Sequence, residues 1–296
     1  MKIIVCLKEI IDPTLSLGTG LRHRVVFNEG LPRVLNPDDT QALALALAIR
    51  SADEGNPIEI TLVSIGPERV ESYLRNGLAL GADKALRIWG EDFEYLSSHQ
   101  KAQLLSGAVK LLGADLVLTG CRSRDTGNSQ VGPLIAAMLD FPCSIDVLGI
   151  NPEEDSQHIL VTRDIGRGER EKLRCRLPAV ITVKGEGKLP CASLDRLIDS
   201  RSADISLLTL TDIGISSVEL KNSPVEVTGL TYPQPRPKKV PTPDSSLPAF
   251  YRILKLLEGG ISGRQGRMLE GTSDELADQL FEFLLAEGVI KSTRGS

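Results

Sequence analysis

The chain has 296 residues, 41% of them hydrophobic and 25% charged, an ordinary globular balance in a chain long enough for about two domains. Its formal net charge of -5 argues against a nucleic-acid surface, which needs clustered excess Lys and Arg to displace counterions from phosphates. Five scattered cysteines (Cys6, Cys121, Cys143, Cys175, Cys191) without a C-x-x-C pair argue against a disulfide framework and a structural zinc site. No apolar run approaches the ~20 residues that span a bilayer. The opening MKIIVCLKEIIDP lacks the apolar core and small-residue cleavage site of a secretory signal, so a cytoplasmic protein is expected.

In chain order, short β-rich runs alternate with helical patterns. KIIVCLK (residues 2–8) is a continuous apolar run of strand length, as in a strand covered on both faces. NPDDTQALALALAIRS places Asp38 and Asp39 where acidic residues suit a helix's positive first turn. The strict Ala/Leu alternation that follows imitates a strand, but the helix propensity of both residues predicts a helix. IEITLVSIG (58–66) predicts a second strand, after which Pro67 suits the first position of a helix that Gly81 ends. ALRIW is a third strand. Residues 96–112 form a helix with Leu104, Leu105, Ala108, Leu111 and Leu112 on one side, and ADLVLTG is a fourth strand. Such alternation predicts an α/β fold, a doubly wound, mostly parallel sheet with crossover helices.

The fourth strand runs into TGCRSRDTGNSQVGPLIAAML (119–139), a loop of small polar residues leading straight into a helix. In doubly wound sheets ligands sit where loops leave the carboxyl ends of the strands. Gly120 and Gly127 permit positive φ and close backbone approach, Thr126, Asn128 and Ser129 offer hydrogen bonds, and a helix beginning near Ser129 or Gln130 points its first N–H groups toward the loop, where an anion fits. A Ser129 cap with glycines that only turn the chain would equally account for these residues. There is no G-x-G-x-x-G after the first strand, where Lys8, Glu9 and Ile10 stand, and no G-x-x-x-x-G-K-[ST] or G-x-S-x-G. The three histidines, His23, His99 and His158, read as solvated surface residues. No catalytic constellation and no metal site is expected.

Beyond residue 220 seven prolines between Pro224 and Pro248 favour extended conformation. FYRILKLL, inside 249–266, is a short helix candidate. GTSDELADQLFEFLLAEGVI reads as a helix with a Thr272/Glu275 capping box, an apolar face of Leu276, Leu280, Leu284, Ala277, Phe281 and Leu285, and a stop at Gly288. The expected division is an α/β domain over 1–220 and, over 221–296, a proline-rich, partner-wrapping arm with C-terminal helices.

These stretches together resemble the β subunit of electron transfer flavoproteins over nearly the whole chain. MKIIVCLKEIIDP is similar to the family's opening strand with its lysine, LNPDD to its Asn-Pro loop, and VSIGP and LALGADKALRI to its second and third strands. DLVLTGCRSRDTGNSQVGPLIAAMLDFP is similar to its nucleotide loop, and EKLRCRLPAVITV to the end of its signature segment. The resemblance implies an adenine-nucleotide-binding, Rossmann-like domain, paired with an α subunit that carries FAD. It implies AMP or a second FAD on this chain, electrons received from a flavin dehydrogenase, and delivery to a quinone reductase or another acceptor. It implies a pocket formed by Cys6 as a wall, Asn36, Pro37, Asp38, Asp39, Ile65, Asp125, Thr126, Gly127, Asn128, Ser129, Gln130, Val131 and Gly132, with the N–H groups around Asn128 to Val131 cradling a phosphate. It also implies a dehydrogenase-docking leucine at Leu194 in LPCASLDRLIDSR. The chain departs from the family around that leucine, with EGKLPCA before it and DSRSADI after it, and at Gly166 to Gly168, where GRG replaces an acidic trio. The alternative class is a nucleotide-responsive regulatory homodimer, or a nucleotide-consuming enzyme, on a similar α/β domain. The loops that such enzymes use against the α-phosphate of ATP, Ser-Gly-Gly-x-Asp-Ser and His-x-Gly-His, do not occur.

Overall fold

The computed structural model describes residues 1–14, 31–52, 57–90, 93, 96–153, 155, 157–185, 187–225, 243–257 and 270–286. His23, Gly288 and the proline-bearing stretch 226–242 lie outside the described residues, as does the end of the 249–266 segment. The chain divides into two compact units, Met1–Leu230 and Thr231–Ser296.

The first unit is built on β1 (Lys2–Leu7), β4 (Glu59–Ile65), β5 (Lys84–Ile88) and β6 (Leu116–Gly120), joined by α1 (Pro37–Ala52), α2 (Glu71–Leu80) and α3 (Ser98–Leu112). A short antiparallel pair, β2 (Glu9–Ile11) with β3 (Arg33–Leu35), follows β1. Then come α4 (Val131–Leu139), β7 (Cys143–Pro152), β8 (His158–Gly166), β9 (Glu169–Arg176), β10 (Ala179–Val183), α5 (Leu194–Arg201), β11 (Ser206–Leu208) and α6 (Ser217–Lys221). The main sheet has nine strands in the order β11-β5-β4-β1-β6-β10-β7-β8-β9. All pairs from β11 through β7 are parallel, and β8 and β9 add antiparallel pairings at one edge.

Because side chains alternate across a strand, β1 feeds two cores. Ile3, Val5 and Leu7 enter one cluster with Leu62, Leu118 and the α1 residues Ala42, Leu43, Ala46 and Leu47. Ile4 and Cys6 enter the other with Val63, Val117, Val180 and the α3 residues Leu104, Leu105 and Ala108. The Ala/Leu alternation of α1 is indeed helical. Leu111 departs from the expected face of α3: it is exposed, and Ala102 with the run from Leu104 to Val109 faces inward instead. The helix expected from Pro67 opens as a 3-10 turn at Glu68–Val70 before α2, which ends at Gly81 with φ +124°.

The β7–β9 stretch produced no strand expectation, and its composition explains why. β9, EREKLRCR, is an edge strand alternating exposed charges with half-buried residues, the charged decoration that keeps sheet edges from pairing with other chains. The GRG departure forms the tip of the β8–β9 hairpin, where Gly166, Arg167 and Gly168 all have positive φ. His99 is not a solvated histidine: it is half-buried, and its Nδ1 is enclosed with no partner among the described residues. His158 bonds Asp155 at 2.7 Å. Glu153, Asp155 and His158 gather their ligand atoms within 4.8 Å, but Arg174 ion-pairs both carboxylates, at 2.7 and 2.8 Å.

In the second unit α7 (Ala249–Leu257) and α8 (Ser273–Ala286) form where helices are expected. Thr272 N–H donates to Glu275 Oε2 at 2.9 Å, one half of the expected capping box. On α8 Leu276, Leu284 and Leu285 are half-buried, whereas Ala277, Leu280 and Phe281 are exposed. Among the described residues no helix is long and apolar enough to cross a membrane.

Leu118 is fully buried in the central β6. Leu118→Ala is expected to lower the unfolding free energy by about 2–5 kcal/mol and Leu111→Ala by under about 0.5 kcal/mol, read from urea unfolding midpoints.

Candidate functional site

The strand order reverses beside β1: the chain moves from β1 to β4 on one side and later to β6 on the other. Loops leaving such a reversal diverge and leave a crevice at the carboxyl ends. Here the crevice is a cleft of about 560 Å³, inside the range of small-molecule sites. Its lining includes Cys6 and Lys8 from β1 and its end, Ile65 from β4, Trp89 and Phe93 after β5, Lys101 from α3, and Thr119 with the loop after β6.

Two acids of α1's first turn assemble it. Asp39, buried, accepts from the Lys8 N–H at 2.7 Å, the Gly120 N–H at 2.9 Å and Asn36 Nδ2 at 3.1 Å. One carboxylate thereby joins the ends of β1 and β6. Burial pushes its pKa from 3.8 up to about 7, against the lowering effect of the three donors. Asp38 accepts from the Arg122 N–H at 3.2 Å and the Gly185 N–H at 3.1 Å, tying in the chain after β10. Asn36 donates to the Arg122 carbonyl at 3.2 Å and accepts from the Arg124 N–H at 3.2 Å. Their polar atoms are thus committed to shaping the post-β6 loop. Asn36 and Asp39 line the cleft, whereas Pro37 and Asp38 do not.

Gly120 serves a purpose other than the expected positive φ, which it does not have. A Cβ there would collide with Asp39 Oδ1 and come within 2.9 Å of Asp38 Cβ, so the strand end needs glycine to approach α1. Gly132 lets α4 approach β6 and β10, since a Cβ would meet Thr182 and lie 2.7 Å from Thr119 Oγ1. Gly127 does take positive φ, +65°, and so does Ser129, +54°. Ser129 is not the cap of α4. The helix starts at Val131 with Gln130 before it, and Gln130 makes no side-chain cap. Among the described residues none accepts from the main-chain N–H groups of Asn128, Ser129, Gln130, Val131 or Gly132. Asn128, Ser129, Gln130 and Val131 line the cleft, whereas Gly127 and Gly132 do not.

Lys8 Nζ reaches across to this loop, bonding Asp125 Oδ1 at 2.7 Å, Ser123 Oγ at 3.2 Å and Thr126 Oγ1 at 3.3 Å. Burial pushes the Asp125 carboxyl up, but the hydrogen bond and charge of Lys8, with bonds from Ser123 and the Thr126 N–H, outweigh it and hold Asp125 below the usual carboxylate range. Cys6 is buried, and burial followed by the Asp39 charge pushes its thiol up to about 12, so it lies in the wall as an un-ionised thiol. Sequence reasoning passed over Lys8, Lys101 and Thr119 as site residues. The end of β1 carried a signal in Lys8, but Lys101 sits in an unremarkable helical stretch that only the fold brings to the cleft. Leu194, the first residue of α5, is 71% exposed, with Ile198 beside it also exposed.

Asp39→Asn puts an NH₂ group opposite a main-chain N–H and is expected to cost about 1–3 kcal/mol of stability. The raised carboxyl also fixes a pH trend. The folded chain retains the proton where the unfolded chain has lost it, so Asp39's contribution to stability falls as pH rises from 3.8 to about 7 and then levels, on top of the opposite trend of carboxyls such as Asp125 whose pKa is lowered. The stability difference between the wild type and Asp39→Asn is expected to change with pH across this range and to be constant above it, measured by urea unfolding.

The family model for the electron transfer flavoprotein domain matches residues 24–212. The chain is 30% identical to the electron transfer flavoprotein subunit beta of Thermoanaerobacterium thermosaccharolyticum over 79% of its own length and 88% of the relative's. It is 27% identical to protein FixA of Sinorhizobium fredii over 90% and 95% of the two chains. It is 32% identical to the caffeyl-CoA reductase-Etf complex subunit CarD of Acetobacterium woodii over 77% and 86%. With its parallel sheet, its cleft at the strand reversal and these matches, the chain belongs to the electron transfer flavoprotein family, as the β subunit of a heterodimeric flavoprotein.

Proposed function

We propose that the cleft holds an adenine nucleotide, AMP or a second FAD, by its phosphate, and that this chain braces the FAD-bearing α subunit and docks a flavin dehydrogenase. The observation that carries the proposal is the row of five main-chain N–H groups at 128–132 without a partner among the described residues, four of the five residues lining the cleft at the start of a helix. Open amides at a helix N-terminus suit a phosphate, and the left-handed Gly127 and Ser129 supply the kind of backbone conformation from which anion-binding nests are built. The orphaned, buried Thr119 Oγ1 beside them is a further polar group that a ligand would satisfy. Apolar walls from Cys6, Val63, Ile65 and Leu105 suit a base or ring system.

FAD on the α subunit supplies the redox chemistry when bound. This chain's part is positional: Asp39 and Asn36 fix the loop, the loop amides hold the phosphate, and the exposed apolar ridge of Leu194 and Ile198 offers an anchor for the dehydrogenase. Electrons then pass from that dehydrogenase through the flavoprotein to a quinone reductase or another acceptor.

Co-expression with the α subunit, denaturation of the purified complex and chromatography of what is released are expected to give the α subunit's FAD plus one adenine nucleotide per β chain. Absence of that nucleotide, or a homodimer that exchanges ATP, contradicts the reading. Gly127→Val forces a β-branched residue to φ +65°, a strain of about 1–3 kcal/mol, and is expected to empty the cleft and weaken assembly; an unchanged nucleotide content would place the phosphate elsewhere. Leu194→Ala is expected to weaken exchange with the dehydrogenase by roughly fivefold or more, with flavin content unchanged; unaltered kinetics would remove Leu194 from the docking site.

A further inference from the structure

Lys101 stands in the first turn of α3, and its half-buried side chain lines the cleft within electrostatic reach of Lys8 and Asp125. Its surroundings disfavour a cation. Burial acts first against the charge, the Lys8 ammonium adds repulsion, and the opposing Asp125 carboxylate is itself bound to Lys8 at 2.7 Å, so the Lys101 ammonium is pulled below the usual lysine range. The first turn of a helix is also the positive end of its dipole, and α3 has no acidic residue there. Among the described residues no carboxylate lies within ion-pair distance of Lys101.

Asn128 Nδ2 donates to Ser98 Oγ at 3.0 Å, which brings the loop before α4 against the start of α3. Two lysines, the N-terminus of α3 and the open amides of α4 therefore border one cleft, with Asp125 in partial compensation. Desolvated charge of one sign is costly until a counter-charge arrives. A phosphate ester or pyrophosphate is a counter-charge rich in acceptor oxygens, and it fits both the ammonium groups and the amides.

We propose that Lys101 is a charged contact for the phosphate of the nucleotide in this cleft, gripping it from the α3 wall while the amides at 128–132 grip it from the α4 wall. This rests on the reading of the cleft as a nucleotide site, and it adds a binding residue to it. Lys8 is the second ammonium within reach, its present partners Asp125, Ser123 and Thr126 holding it at the cleft's edge.

The test compares AMP with adenosine, which has the same base and ribose and no phosphate, by calorimetric titration of the α/β heterodimer after removal of bound nucleotide with charcoal. In the wild type AMP is expected to bind more tightly than adenosine. Lys101→Met, which keeps the apolar stem and removes the charge, is expected to weaken AMP by roughly ten- to hundredfold with adenosine unchanged, and Lys101→Arg to recover part of the loss. If Lys101→Met weakens AMP and adenosine alike, or neither, Lys101 is not a phosphate contact. If neither molecule binds the wild type, the nucleotide reading of the cleft fails before Lys101 is in question.

Discussion

A single buried carboxylate holds the working end of this protein together. Asp39 takes hydrogen bonds from the main chain at the ends of β1 and β6, the two strands between which the sheet's order reverses. Loops diverging from such a point lie beyond the ladder that pairs β1 with β6, so the shape of the cleft depends on a group delivered from outside the sheet. α1 delivers it. Pro37 opens the helix, Asp39 takes the amides, and Asp38 extends the arrangement to the chain after β10. Satisfying these main-chain donors offsets the cost of burying the acid, and the close fit is why Gly120 carries no side chain.

That arrangement leaves another set of amides deliberately open. Asn36 and the two aspartates satisfy the first half of the post-β6 loop through Gly120, Arg122 and Arg124, and the second half, 128–132, has no comparable support among the described residues. The division is physical: backbone pinned by side chains is fixed in place, and backbone left with free N–H groups at a helix start is poised for an anion. Lys8 and Lys101 add positive charge to the same cleft, within a chain whose net charge is -5. A weakly acidic protein thus presents a locally cationic cleft. Cys6 lies un-ionised in the cleft wall.

The parallel core was legible because its strands are continuous apolar runs and its helices carry marked ends such as Pro67 and Gly81; the Ser97 cap that pairs reciprocally with Gln100 emerged only with the structure. The outer hairpin was not, because EREKLRCR is written for solvent on an edge and its charges mask the alternation. Within the site, the glycine-rich loop announced itself through Gly127, but the left-handed Ser129 did not, since nothing in a serine requires positive φ. Gly120 was seen as flexible when its value is smallness. Asp38 and Asp39 read locally as dipole partners of α1, and their reach to Lys8, Gly120 and Gly185 depends on contacts between residues far apart in the chain. Lys101 was invisible for the same reason: a lysine in a helix is ordinary until the fold turns it toward a cleft.

The central claim is that the amides at 128–132 hold the nucleotide's phosphate. Amide hydrogen exchange of the heterodimer with and without its adenine nucleotide tests it directly. The account predicts that binding slows exchange at Asn128, Ser129, Gln130, Val131 and Gly132, beyond any change at Lys8 and Gly120, whose N–H groups are already bonded to Asp39. Unchanged exchange across 128–132, with protection arising elsewhere on the chain, would contradict it.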